Sequence, residues 1–226
     1  MLKITIITIN LNNANGLLKT IQSVVNQTYL NFEFIIIDGG SSDESVEVIK
    51  KFNNKIDYWI SEPDKGIYNA MNKGIKIAKG EYLLFLNSGD WLIDKSILSY
   101  SISHIKAYDV IYFDVDTPKG VIKFPERLTF YFFYTKNISH CSSFIKRTLF
   151  QEHGLYNENN KIVSDWEFFL KVLVRHNSTS KHINTTLSFF EYDGISTNSN
   201  MFCIQEKLLR WQPVKEKHLW QLYQHI

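Results

Sequence analysis

The chain has little cysteine and no long apolar run, and each shortage removes a class of answer. Two cysteines in 226 residues, Cys141 and Cys203, stand without CxxC spacing. Neither a disulfide framework nor a zinc cage is indicated, and reduced thiols are expected. No apolar run approaches the roughly 18 residues of a membrane span. The N-terminus runs straight into the strand-like KITIITI, with no charged leader and cleavage site, so a cytoplasmic protein is expected. A net charge of +2 is too small to point to nucleic acid. Two phosphate-binding signatures are also missing. The dipeptide Gly-Lys, which GxxxxGK[ST] requires, does not occur, and NLNNANG stands after the first strand where a dinucleotide fold carries GxGxxG.

What is present describes an ordinary globular chain, 44% hydrophobic and 21% charged, long enough for one large domain. Residues 3–9 and 33–37 predict strands rich in β-branched residues, and Leu17, Leu18, Ile21, Val24 and Val25 recur at helical spacing over 15–27. Helices near 43–52 and 66–78, a short strand at 57–61 and a strand at 82–86 follow. After residue 95 the texture changes. Residues 109–124 predict a hairpin turning at Asp116–Gly120, followed by the aromatic run FYFFY at 130–134 and a strand at 139–146. A helix at 165–175, a strand at 182–191, a loop at 193–196 and a terminal helix over 201–226, broken at Pro213, complete the prediction.

Strands alternating with helices predict an α/β fold with a mostly parallel sheet flanked by helices. Their continuous apolar character says that both sheet faces are covered. Ligands on such sheets lie beyond the carboxyl ends of the strands. Asn10 and Asn12 follow the first strand, Asp38 the second, and Asp90 ends FLNSGD after the strand at 82–86. Polar groups are thereby expected along one edge.

With TIITINLNN at 5–13, IIIDGGSSD at 35–43, EPDKGIYNAMNKGI at 62–75, GEYLLFLNSGD at 80–90 and SDWEFFLK at 164–171, the chain resembles glycosyltransferase family 2. It is similar above all to small bacterial enzymes that build surface polysaccharide. Five motifs in order span most of the chain. The resemblance implies a GT-A fold over residues 1–200, with 1–95 serving the nucleotide sugar, 96–200 the acceptor, and 201–226 a helical extension. It implies an inverting transfer from a nucleoside-diphosphate sugar, expected to be a UDP-sugar, to a hydroxyl of a glycan or lipid-linked glycan. A divalent cofactor, Mg²⁺ or Mn²⁺, is implied as well. Such a reaction needs charge compensation at the leaving diphosphate and a base at the acceptor hydroxyl.

By position, the resemblance gives Asp90 to the metal and Asp165 to the catalytic base. Thr8, Asn10, Asn12, Asp38, Asn69, Asn72, Ser88 and Gly89 fall to the donor, and His140 and Trp166 to the acceptor side. Each has a structural alternative: Asp38 and Asp90 as turn residues, Ser164-Asp165-Trp166-Glu167 as a capping box, His140 as a core histidine. Asn87 and Ser88 stand where many relatives carry further acid, Met71 where many carry arginine, and Ser164 where the usual first acid of an acidic pair would be. The alternative function is therefore a catalytically silent sugar-nucleotide binder in an assembly complex. No nucleic-acid partner is expected. The basic, aromatic C-terminal segment could contact the inner face of the membrane peripherally.

Overall fold

The computed structural model describes residues 4–105 and 108–192; the expected loop at 193–196 and helix at 201–226 lie outside the described residues. Strand β1 (Ile4–Asn10) is buried along its whole length, as a strand covered on both faces must be. Helix α1 (Ala14–Val25) starts where the Asn13 side chain accepts the Gly16 N–H, and it buries Leu17, Thr20, Ile21 and Val24, one helical face. Strand β2 (Phe32–Asp38) lies parallel to β1 with Asp38 opposite Asn10. Helix α2 (Ser45–Lys51), strand β3 (Tyr58–Ser61), helix α3 (Ile67–Ile77) and strand β4 (Tyr82–Phe85) complete the first half.

The second half adds β5 (Trp91–Leu92), α4 (Ile97–His104), β6 (Val110–Asp116), α5 (Phe130–Thr135), β7 (Ser143–Lys146), α6 (Arg147–His153), α7 (Ser164–Phe169) and β8 (Ser180–Phe189). Strands of both halves form one eight-stranded sheet in the order β3-β2-β1-β4-β7-β6-β8-β5. The sheet is mixed: β3, β2, β1 and β4 are parallel, β7 runs antiparallel to both β4 and β6, and β5 runs antiparallel to β8.

Four local outcomes differ from the sequence-based expectation. The return arm of the hairpin is a single bridge, Val115 to Ile122, because β8 takes the flank of β6 in parallel. The aromatic run is helix α5, capped by the Thr129 hydroxyl, with Phe133 buried and Tyr131 and Tyr134 exposed. Helix α6 was not expected. Finally, α7 continues as a π-helix over Leu170–Arg175, whose wider turn buries Val172 and leaves Leu173 and Val174 only partly covered.

One buried polar knot ties the amino ends of β1, β2 and β4 together. Glu33 accepts from the Thr5 hydroxyl and the Lys79 N–H, each at 2.7 Å, and Gly80 donates to Thr5 Oγ1 at 2.9 Å. A β-carbon on Gly80 would fall 2.5 Å from the Thr5 backbone nitrogen, which cannot yield. Gly80→Ala is expected to cost about 1–3 kcal/mol, read as a lower urea midpoint with unchanged slope.

Candidate active site

The backbone after β4 is held from below. Residues 87–90 turn at Gly89, whose φ of 104° disfavours any side chain. The buried Thr20 hydroxyl of α1 accepts the Gly89 N–H at 3.1 Å and donates to the Asp90 carbonyl at 2.6 Å. Asn13, which caps α1, reaches the Ser88 carbonyl at 3.2 Å. Asp90 is 4% exposed, and its Oδ1 accepts the Glu191 N–H just beyond β8 at 3.1 Å. Its carboxylate is thus fixed by two distant strand ends. Thr20 escaped the sequence reading, although a polar residue on the buried stripe of an amphipathic helix was the available signal.

Asp165 stands in the first turn of α7. Its Oδ1 accepts from the Tyr68 hydroxyl of α3 at 3.0 Å, and Oδ2 accepts from Asn137 Nδ2 at 3.2 Å and pairs with His140 Nδ1 at 3.3 Å. Burial alone would raise the carboxyl pKa. The hydrogen bond and charge of His140, the Trp166 N–H and the Tyr68 hydroxyl outweigh it and hold the group below the usual carboxylate range. For His140, burial opposes the charged form, but Asp165 and Asp90 together raise its pKa above 6.5. The other ring nitrogen, Nε2, lies 3.0 Å from the Asn87 amide. A neutral ring accepts there from Asn87 Nδ2, and an imidazolium would donate to the amide oxygen instead.

The capping box does not form. Ser164 Oγ accepts the Asn157 N–H at 2.6 Å, and Glu167 takes the Asn160 amide at 2.6 Å, so both side chains anchor the 157–160 loop. Trp166 is a core residue whose indole donates to the Phe133 carbonyl at 2.7 Å. Asn69 and Asn72 are engaged within the fold: both donate to Glu158, and Asn72 clamps the Tyr156 backbone from both sides.

Asp38 is fully buried at the end of β2. It accepts from Asn10 Nδ2 and the Ser41 hydroxyl on one oxygen, and from the Ser61 hydroxyl and Ser41 N–H on the other. Burial works against the carboxylate, but those hydrogen bonds prevail and lower its pKa. Asn12, in a left-handed conformation (φ 51°), accepts the Ser42 N–H. Asn10, Asn12 and Asp38 therefore form one cluster, while Thr8 spends its hydroxyl on the Leu86 carbonyl inside the sheet.

A cavity of about 590 Å³ joins the two halves. Asn87, Ser88 and Asp90 line it from the first half, and Asn137, His140 and Asp165 from the second, with Tyr68 and Met71 of α3 also on the wall. Thr8, Asn10, Asn12, Asp38, Asn69, Asn72, Gly89 and Trp166 do not line it. Among the described residues no three His, Cys, Asp or Glu side chains converge as a cation cage. Asp90 offers a hard carboxylate facing the cavity, which fits a Mg²⁺- or Mn²⁺-type ion that takes its remaining ligands from phosphate and water. Among the described residues no helix is long and apolar enough to cross a membrane.

Comparison with known proteins agrees with this geometry. The glycosyl transferase family 2 model matches residues 5–165. A PGL/p-HBAD biosynthesis glycosyltransferase of Mycobacterium bovis is 29% identical over 204 residues, 85% of this chain and 78% of the relative. An uncharacterized glycosyltransferase of Mycobacterium tuberculosis is 32% identical over 177 residues, 74% of this chain and 68% of the relative. In structure, S. aureus TarS 1-349 in complex with UDP-GlcNAc superposes with a TM-score of 0.72 at 19% identity, over 87% of this chain. This chain spans 61% of that one and 36% of another crystallised TarS chain. The mannosyltransferase PcManGT from Pyrobaculum calidifontis, in complex with GDP-Man and Mn²⁺, gives 0.71 at 13% identity over 94% of this chain and 67% of its own. The fold is GT-A.

Two measurements probe this site. Thr20→Val should destabilise the chain by about 1–3 kcal/mol, because it strands the Gly89 N–H and the Asp90 carbonyl, and should slow any turnover roughly 10–100-fold through displacement of Asp90. Thr20→Ser should recover most of both. The second concerns pH. The stability that Asp165 contributes is present above its unfolded pKa and is lost as pH falls through its lowered folded value. That of His140 is complete below 6.5 and fades as pH rises through its higher folded value. Melting temperature should therefore plateau between the two. In His140→Ala the acid-side loss should shrink, because the folded pKa of Asp165 moves up toward its unfolded value, and the His140-linked fall on the alkaline side should disappear.

Proposed function

The chain belongs to glycosyl transferase family 2, and on that premise we propose that it transfers a sugar, with inversion, from a UDP-sugar to a hydroxyl of a glycan or lipid-linked glycan acceptor. Its setting would be bacterial surface polysaccharide synthesis on the cytoplasmic side. The observation that carries this reading is the placement of two fixed carboxylates, Asp90 and Asp165, on one cavity but on different halves of the fold. Residues 1–95 then serve the donor and 96–200 the acceptor. A UDP donor agrees with the complexes of TarS with UDP-GlcNAc and UDP.

In this mechanism the acceptor hydroxyl attacks the anomeric carbon from the face opposite the diphosphate. Its proton passes to Asp165, and the bond from the anomeric carbon to the diphosphate oxygen breaks with its electron pair remaining on the diphosphate. Tyr68, Asn137 and His140 hold the carboxylate so that one geometry is kept while substrates exchange. Asp90 would hold a divalent ion, which supplies positive charge against the leaving diphosphate when bound. Ser88 and Asn87 present polar groups beside it, and Gly89 leaves the backbone open at the turn. The Asn10, Asn12 and Asp38 cluster, at the carboxyl ends of β1 and β2, lies where the base and ribose of the nucleotide would rest.

Asp165→Asn should leave UDP affinity unchanged, measured by calorimetry with Mg²⁺ or Mn²⁺, and should lower transfer by about 10²–10⁴-fold. Asp90→Ala should abolish the metal dependence of UDP binding. UDP binding that ignores both metal and Asp90 would remove the metal role, and full transfer by Asp165→Asn would remove the base. Binding without turnover across a wide screen of donors and acceptors would favour the silent sugar-nucleotide binder.

A further inference from the structure

The acceptor half of the cavity carries cations that the reaction does not use. Lys123 follows β6, Lys136 follows α5, and Lys161 precedes α7, so three separate segments each place a lysine on the wall of the same cavity. Among the described residues, neither Lys123 nor Lys136 has a carboxylate within ion-pair distance, whereas Lys73 and Lys146 elsewhere are paired with Glu62 and Asp109. The acids lining the cavity do not pair with Lys123 or Lys136: Asp165 is paired with His140, and Asp90 Oδ1 accepts the Glu191 N–H where β8 ends.

Two of the lysines adjoin residues of the Asp165 hydrogen-bond network. Lys136 precedes Asn137, which donates to the carboxylate, and Lys161 precedes Ile162, whose carbonyl shares the single Tyr68 hydroxyl proton with Asp165. None comes from the donor half, and apolar Ile122, Phe124 and Ile138 intervene on the wall. A lysine is a mobile point charge suited to phosphate, whereas a neutral sugar is ordinarily gripped by amides, carboxylates and aromatic faces.

We propose that the acceptor is anionic, carrying a phosphate mono- or diester that Lys123, Lys136 and Lys161 hold beside the reacting hydroxyl. This deepens the transferase reading and rests on it. The phosphate belongs either to a soluble glycan or to a lipid, and both present the same oxygens to the lysines.

The test uses the full chain saturated with UDP and Mg²⁺, titrated with methyl glucoside 6-phosphate and with methyl glucoside. The phosphorylated probe should bind at least about tenfold more tightly at low salt. The preference should vanish in K123Q/K136Q, with UDP affinity unchanged. Flotation with phosphatidylglycerol vesicles assigns the source. Binding lost in K123Q/K136Q places the phosphate on a lipid, and absence of vesicle binding alongside the sugar-phosphate preference places it on a glycan. Equal binding of the two probes, or a variant that weakens UDP instead, overturns the proposal. Failure of UDP to bind the unmodified chain would overturn the transferase reading separately.

Discussion

A carboxylate taken out of water must be met by donors from the protein, and Asp165 meets that demand with groups from three separate parts of the chain. Tyr68 comes from α3, Asn137 and His140 from the stretch before β7, and the Trp166 N–H from its own helix. Leaving a buried charge without such partners costs several kcal/mol. The carboxylate is therefore stable only when α3, the 137–140 stretch and α7 are docked together, so one side chain ties assembly of the second half to the first. The 157–160 loop is stitched to both sides: Glu158 accepts from Asn69 and Asn72 of α3, and Glu167 of α7 accepts from Asn160.

The first half follows the same rule with a different solution. Asp38 is as buried as any residue in the core, yet its oxygens are surrounded by two hydroxyls, an amide and a backbone N–H. Those partners come from β1, from the turn after β2 and from β3. The cluster thus fixes the relative heights of three strand ends. Asp90 differs from both, since its position depends on Thr20 gripping the backbone on either side of Gly89. Asp38 and Asp165 are positioned through their side chains, and Asp90 through its backbone as well as the Glu191 N–H on its carboxylate.

Much of this was legible in the residues. The apolar runs at 3–9, 33–37 and 82–86 give strands covered on both faces, the first two rich in β-branched residues and the third in leucine and aromatics, and the polar ends of β1, β2 and β4 do lie at one edge. The second half was harder, because its pairings are between segments distant in sequence. β7 inserts between β4 and β6, and β8 displaces the return arm of a locally plausible hairpin. Local pattern also does not reveal which polar groups find tertiary partners. Ser164 and Glu167 fit a capping box in sequence but bond to the 157–160 loop, and Asn69 and Asn72 hold that loop too. No spacing rule contains that information, since it depends on where the loop comes to rest.

The lowered pKa of Asp165 bears directly on its proposed role, because a carboxylate that holds its charge strongly accepts a proton reluctantly. His140 sets that balance. As an imidazolium it stabilises the carboxylate by charge as well as by a hydrogen bond, and as a neutral ring it keeps only the hydrogen bond. Asp165 is therefore a stronger base when His140 is neutral. The same ring feels Asp90 electrostatically and touches Asn87, which lies on the Asp90 turn. Positive charge arriving beside Asp90 opposes the imidazolium, so the charge at Asp90 and the charge on His140 are coupled. The physical consequence is that the two carboxylates are not independent: His140, which pairs with Asp165, also feels the charge of Asp90.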